Sequence, residues 1–505
     1  MTVASPQDTE HLDVLIVGAG LSGIGAAHTI STEFPQRSYA ILEARDAIGG
    51  TWDLFRYPGV RSDSDMHTLG YRFRPWRQAR AIADGPAILD YVRDTAREDG
   101  TDAHIRYHHK VVHASWSTPD ARWTVEALRT DTGETVRLTA SFLFLCPGYY
   151  NYDKGYTPQF PGIDDFAGVV VHPQFWPEDL DYSGKKVVVI GSGATAVTLV
   201  PALTDRAEHV TMLQRSPTYI AALPGEDPIA KALRKVLPDR LAFPLVRWKN
   251  ILLFILNYQV SRRRPELMKT LLRKGQERML PPGYDIDTHF TPSYNPWDQR
   301  LCVVPDGDLF KAISAGSAEI VTDHIETFTR TGLRLTSGRE LDADVVVTAT
   351  GLEMQLLGGM GLTVDGEEMD ITASLAYRAA MLSGIPNAAF VIGYTNASWT
   401  LKADLVGQFV GRLLAYMDEH GYTKVVPENT DPTVREVPLM DFQAGYVLRA
   451  LDRMPKAGNK APWLLKQNYA LDLIPLRYGK IDDGVLRFST PVGEPVAAAP
   501  ATAAS

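Results

Sequence analysis

The sequence predicts an α/β chain built around two nucleotide-binding units of parallel sheet and helix. Three observations lead there. Two glycine loops, Gly18-Ala-Gly20-Leu-Ser-Gly23 and Gly191-Ser-Gly193-Ala-Thr-Ala196, each follow a short apolar run and open a helix-like stretch. A chain of 505 residues is too long for one ordinary core and suggests two to four domains. Its 45% hydrophobic and 22% charged residues are an ordinary globular balance.

In the first unit, Leu12–Val17 is almost wholly apolar, as expected of a parallel strand buried on both faces. Gly18, Gly20 and Gly23 follow, then a helical stretch to about Phe34. A second strand, Tyr39–Leu42, ends in Glu43, twenty positions after Gly23. Strand, tight turn, helix, strand and acid form the dinucleotide fingerprint in its required context. The glycines let the backbone approach a pyrophosphate, and the helix start offers free N–H groups. Glu43 can accept from ribose hydroxyls.

The second unit repeats the pattern. Lys185–Ile190 is a buried-strand run, and Gly191, Ser192, Gly193, Ala194, Thr195 and Ala196 form its loop, with Ala196 in place of the third glycine. The next strand, Val210–Leu213, ends without an acid and supplies Gln214, Arg215 and Ser216. An acid would hold a free ribose 2′-hydroxyl, whereas a cation and a hydroxyl suit a 2′-phosphate. The second site is therefore expected to prefer NADPH over NADH.

Glu43-Ala44-Arg45 followed by Gly49-Gly50-Thr51-Trp52 resembles the FAD half of two-dinucleotide flavoproteins. Leu143–Gly148 and the strand Ala343–Thr348, with Ala349-Thr350-Gly351, resemble the two crossings between the domains of such proteins. The resemblance implies two Rossmann-like domains, the FAD domain being discontinuous. Residues 1–148 and 341–490 would form the FAD domain, 149–220 and 291–340 the NADP domain. Segment 221–290, lacking strand-like alternation, is expected to be a helical insertion in the NADP domain. The Ala/Pro/Thr-rich residues 491–505 are expected to be a disordered tail.

A net charge of −9 argues against a nucleic-acid partner, whose phosphates want a basic face. Cys146 and Cys302 are the only cysteines, far apart, and form no metal-ligand or redox pair. Their scarcity fits a reducing cytoplasm, and no metal site is expected. The polar Met1–Glu10 lacks the features of a signal peptide. Ile251–Leu256, flanked by Arg247, Lys249 and Arg262–Arg264, is too short to span a bilayer. Peripheral membrane contact by an amphipathic helix and a helix packed on its own protein are both open readings there. A monomer or weak oligomer is expected.

Phe166-Ala-Gly168-Val-Val-Val-His172-Pro-Gln-Phe-Trp176-Pro177 matches the F-x-G-x-x-x-H-x-x-x-W-P fingerprint of Baeyer–Villiger monooxygenases at every defined position. Gly50-Thr51-Trp52, Tyr57-Pro58-Gly59 and Asp63 match a second fingerprint of that group. The resemblance runs from about Leu12 to Tyr478. Segments 56–76, 297–310 and 396–409 resemble its ethionamide-activating branch. The likeness implies an FAD- and NADPH-dependent enzyme that uses molecular oxygen on a small ketone or thioether, giving esters, lactones or sulfoxides. An N- or S-oxygenating flavin monooxygenase without ketone activity is the nearest alternative, and a non-catalytic nucleotide or redox sensor a more distant one.

The resemblance also implies roles for particular residues. Arg300 would be the fixed positive charge that stabilises a flavin peroxide and the later oxyanion, with Asp63 orienting it. Gln299 stands where many relatives carry a lysine, which leaves more of the 2′-phosphate to Arg215. His172 would act through hydrogen bonds that couple domain motion, without touching substrate. Ser22, Thr51, Trp52, Asp53 and Leu54 would line the FAD, and Val111 would contact its adenine end. Arg61 and Ser62 would contact NADP, while Trp399 and Lys402 would border the substrate.

Overall fold

A computed structural model describes residues 9–490. The expected tail at 491–505 and most of the polar N-terminal stretch lie outside the described residues.

The first glycine loop belongs to a nine-stranded sheet. His11–Val17 lies within it, parallel to Tyr39–Leu42 on one side and to Thr135–Leu145 on the other. Val14, Leu15 and Ile16 are inaccessible to solvent, as their uninterrupted apolarity requires. Thr135–Leu145 is long enough to serve two further partners. Its first half pairs antiparallel with Arg122–Arg129 and its second half parallel with Ala388–Phe390. The sheet thus takes strands from both ends of the chain. Helix Leu21–Glu33 packs against the late helix Trp399–His420.

The second sheet has five parallel strands in the order Ala318–Thr322, His209–Gln214, Lys186–Ile190, Val345–Thr348 and Val169–Val171. This corrects one expected boundary. Residues 345–348 do not open the second part of the FAD domain, because they pair inside the second sheet. All four are buried, and a strand buried on both faces carries no polar mark of which sheet it joins. After Gly351, Leu352–Met354 pairs antiparallel with Tyr150–Gly155 in a small sheet of its own. The two crossings therefore lie side by side.

Segment 221–290 holds the helices Pro228–Val236, Asp239–Arg263, Pro265–Glu277 and Ile286–Phe290. Asp227 caps the first by accepting from the N–H groups of Ile229 and Ala230, and Pro228 sits where a missing N–H costs nothing. The segment is not wholly helical: Ile220–Leu223 is a strand parallel to Cys302–Pro305, too short for alternation to reveal it. No helix among the described residues is long and apolar enough to cross a membrane.

The F-x-G-x-x-x-H-x-x-x-W-P stretch forms the edge of the second sheet. Phe166 packs edge-on against Phe328. A Cβ at Gly168 would lie 2.4 Å from the Asp344 carbonyl oxygen, so only glycine lets the chain approach there. Val169–Val171 then pairs with Val345–Val347, and His172 follows at the strand's end. Trp176 packs on Tyr182.

Candidate active site

One cavity of about 1050 Å³ runs between the two glycine loops and is lined by residues of both sheets and both crossings. That exceeds the upper range for a single small-molecule pocket, about 1000 Å³, and suits two extended ligands.

Gly18, Gly20, Ser22, Glu43, Gly50, Thr51, Trp52 and Val111 line the first half. Gly18 has φ +96°, and a Cβ there would lie 2.6 Å from the Cys146 carbonyl oxygen. Gly23 does not line the cavity. A Cβ on it would fall 1.8 Å from the Gly18 carbonyl oxygen, so its task is the close packing of helix against strand. Helix Leu21–Glu33 has no side-chain cap, which leaves its first N–H groups for a phosphate. The Glu43 carboxylate accepts from the N–H groups of Ala19 (2.8 Å) and Arg45 (3.0 Å). Burial raises its pKa and these bonds partly offset the shift.

Two residues expected in this half lie outside the cavity lining. Asp53 is buried away from the cavity, its carboxylate set among Arg45, Arg56 and Arg93. It anchors the one-turn helix Thr51–Leu54 from behind. Leu54, at the end of that turn, also lies outside the cavity lining.

Gly191, Ser192, Gly193, Ala194, Thr195, Arg215 and Ser216 line the second half. Nothing lies within 4 Å of a Cβ built on Gly193, so that side of the loop is open. Helix Ala194–Leu203 also lacks a side-chain cap. Ser192 Oγ donates to the Ser216 carbonyl oxygen (3.1 Å), tying the loop to the next strand's end. Arg215 is exposed and has no acidic partner among the described residues. Ala196 departs from expectation: it is buried in the core beneath the loop and does not reach the cavity.

Arg300 and Asp63 meet between the halves. Arg300 Nε and Nη2 donate to Asp63 Oδ2 at 2.9 and 2.6 Å, and Nη1 donates to the Thr395 carbonyl oxygen at 2.9 Å. The Arg300 side chain stays 30% accessible, and it lines the cavity. Burial opposes its charge, while the Asp63 carboxylate beside it and the neighbouring Tyr446 and Tyr149 favour it, and the net result is a pKa above the ordinary value. Thr395 is itself braced, its N–H donating to Gln467 Oε1 at 3.0 Å. Arg61 and Ser62 line the same region. Arg61 pairs with Asp308, and Ser62 Oγ is occupied within its own loop by Ser64.

Trp399 lines the cavity. Its Nε1 donates to Ser22 Oγ at 2.7 Å, and its ring stacks on Tyr149 with centroids 4.9 Å apart. Lys402 does not border the cavity. One turn along the helix it points into the core, where Nζ pairs with Asp472 at 2.9 Å. His172 also lies outside the lining, so it is no catalytic residue in the sense that Arg300 and Asp63 could be. Its Nε2 meets the Gly351 carbonyl oxygen and its Nδ1 the Gln174 N–H, each at 3.2 Å. The ring also fills the space beside Gly155, so His172 clasps both crossings together.

Sequence reasoning missed Tyr149, Tyr150 and Tyr446, which line the cavity beside Arg300. The run Tyr149-Tyr150-Asn-Tyr152 directly after the first crossing was a readable signal for two of them. Nothing in the spacing pointed to Tyr446 or Gln467. Cys146 and Cys302 are both buried and free, and burial pushes the Cys302 thiol up to about 12. Neither is set for redox chemistry.

Two dinucleotide-type loops facing one cavity, with an arginine–carboxylate pair between them, define a two-site nucleotide-dependent enzyme. Comparison with known proteins supplies the family. The model of the flavin-binding monooxygenase-like family matches residues 82–356, and that of the NAD(P)-binding Rossmann-like domain matches residues 16–84. The FAD-containing monooxygenase EthA of Mycobacterium tuberculosis is 59% identical over 96% of this chain and all of its own length. The probable FAD-binding monooxygenase AlmA of Acinetobacter baylyi is 50% identical over 95% of this chain and 96% of its own. A steroid monooxygenase solved with NADP shares the fold at TM-score 0.74 and 22% identity, over 95% of this chain and 99% of that one. The chain belongs to the flavin-binding monooxygenase family, and it is a flavoprotein oxidoreductase.

Proposed function

We propose that this protein is an FAD- and NADPH-dependent Baeyer–Villiger monooxygenase that converts ketones to esters or lactones and also oxidises thioethers to sulfoxides. The observation that carries the reading is the Arg300–Asp63 pair, open to the cavity between the two glycine loops. The FAD domain would comprise 1–148 and the chain after Gly351, with the NADP domain between them.

The residues fit both cofactors. Gly18 and Gly20 with the uncapped helix at Leu21 would take the FAD pyrophosphate, and Glu43 its ribose. Gly191 and Gly193 with the uncapped helix at Ala194 would take the NADPH pyrophosphate, and Arg215 with Ser216 its 2′-phosphate. When bound, FAD would take a hydride from NADPH and activate molecular oxygen, from which the inserted oxygen atom comes. Arg300 then serves as a preorganised positive charge where negative charge develops, on a low-dielectric wall that strengthens it. Asp63 and the Thr395 carbonyl fix the guanidinium plane, so no reorganisation is needed during reaction. Tyr149, Tyr150 and Trp399 exclude water beside it.

The test is a panel of aliphatic ketones, aromatic ketones and thioethers, scored for product and for NADPH consumed per product. Ester or lactone formed in step with NADPH supports the reading. Sulfoxides from thioethers with no ester from any ketone would assign the narrower S-oxygenating activity instead.

A further inference from the structure

The long helix Asp239–Arg263 presents an apolar face to solvent. Leu241, Leu245, Trp248, Leu252, Leu253 and Leu256 are between 42% and 59% exposed. Their spacing of four, three, four, one and three places them on one side of a helix. Polar side chains on the opposite side point into the protein. Arg247 is buried and donates to the carbonyl oxygens of His67 and Gly70 and to Asp404. Asn250 Nδ2 donates to Asp65 Oδ1 at 2.8 Å. Ala242, Phe243, Val246 and Ile251 are buried beside them, so the helix already has an apolar inner face, as a surface helix ordinarily does, and the exposed leucines form a second one.

The neighbours extend the feature. Helices Pro228–Val236 and Pro265–Glu277 both pack against this one. The first exposes Ile229 and Val236, seven residues apart, and the second Leu267 and Leu271, four apart. Trp248 meets Tyr469 edge-on, and the short helix of Tyr469 exposes Leu471. Isolated exposed leucines need no explanation, but an apolar row on three packed helices does.

Charge selects the occupant. Residues 228–278 carry thirteen Lys and Arg against three Asp and Glu, in a chain of net charge −9. Lys235, Arg240, Arg263, Arg264, Lys274 and Arg278 are exposed and have no acidic partner among the described residues. A second copy seated on this face by a two-fold axis would set one basic segment against another. An anionic lipid surface meets both features at once, taking the leucines below the headgroups and the cations among them.

We propose that the outer face of Asp239–Arg263, with its two packed neighbours, docks on an anionic membrane surface. The inner face meanwhile holds Asp65, two residues from Asp63, so docking sets the cavity loop at a defined distance from the lipid.

The test uses the full-length, FAD-loaded protein in sedimentation with vesicles. One set is phosphatidylcholine alone, the other phosphatidylcholine and phosphatidylglycerol in equal parts. Binding is expected to the anionic set and to weaken as salt is raised. The double substitution Arg263→Gln/Arg264→Gln removes two cations, each worth on the order of fivefold near an anionic surface, and should weaken binding about thirtyfold. Leu245→Glu/Leu252→Glu should abolish it, with the melting temperature and turnover of a water-soluble substrate unchanged. Should the leucine pair fail to fold, the exposed arginine pair decides alone. Equal sedimentation with both vesicle sets, or wild-type binding by the arginine variant, overturns the proposal. Self-association in light scattering that the leucine variant abolishes would also overturn it, assigning the face to a second copy.

Discussion

Replacing Arg300 by alanine separates the two halves of the proposed reaction. Of the five N–H donors of a guanidinium, three are committed, two to Asp63 and one to the Thr395 carbonyl. The rest are free to face the cavity. A unit charge about 4 Å from a developing anion is worth about 4 kcal/mol at an effective dielectric of about 20. Removing one oxyanion donor elsewhere costs about 2.7–4 kcal/mol. The two figures agree, and at about 1.4 kcal/mol per decade they give a loss of roughly a thousandfold in oxygenation. Hydride transfer from NADPH to the flavin draws nothing from this charge, so bleaching of the flavin should proceed at near the wild-type rate. The assay is rapid-mixing bleaching without oxygen, set beside ester formed and hydrogen peroxide released with oxygen present. Arg300→Ala should consume NADPH and release hydrogen peroxide in place of ester. Arg300→Lys should recover little, since one ammonium cannot satisfy both anchors. Ketone conversion by the alanine variant within a few fold of wild type would refute the assignment.

Four further predictions follow from the same geometry. Arg215→Ala should raise KM for NADPH by roughly tenfold or more while leaving NADH use unchanged; an equal loss for both coenzymes removes the 2′-phosphate reading. Gly193→Ala meets no protein atom within 4 Å, so the melting temperature should hold while KM for NADPH rises; an unchanged KM would place the pyrophosphate elsewhere. Gln467→Leu deprives the Thr395 N–H of its acceptor and should lower kcat with KM nearly unchanged, whereas Gln467→Glu, which keeps an acceptor, should restore it; failure of the glutamate to rescue points to a packing role only. Burial lowers the His172 pKa, and its hydrogen bond to the Gly351 carbonyl offsets the shift only in part. The native state therefore binds fewer protons than the unfolded chain once pH falls below about 6.5, and stability declines from there downward. His172→Gln should make the fall of melting temperature with acid shallower, and identical slopes would show that other buried histidines carry it.

Where a role depends on local covalent spacing, it was legible in the chain. Strand, glycine turn, helix and acid are contiguous, so the loops at Gly18–Gly23 and Gly191–Ala196 and the acid Glu43 declared themselves. Alternation is likewise a local property, so its lack over 221–290 let the helices there be expected. The Phe166–Pro177 stretch pointed correctly to the family, but not to what its residues touch.

The tertiary structure decided everything that depends on which distant segments meet. Arg300 and Asp63 stand 237 positions apart, and only the fold puts their side chains 2.6 Å from each other. The family resemblance cast Asp53 and Lys402 as site residues, and each does neighbour a lining residue in sequence. A helical turn sends adjacent side chains to different faces, so Asp53 joined three arginines and Lys402 joined Asp472. The strand at 345–348 found its sheet through hydrogen-bond partners that its own uniform apolarity does not encode. The sequence by itself thus determined the two nucleotide units and the family, because those are written in local order. Which side chains face the cavity and which are buried behind it is a property of packing between remote segments.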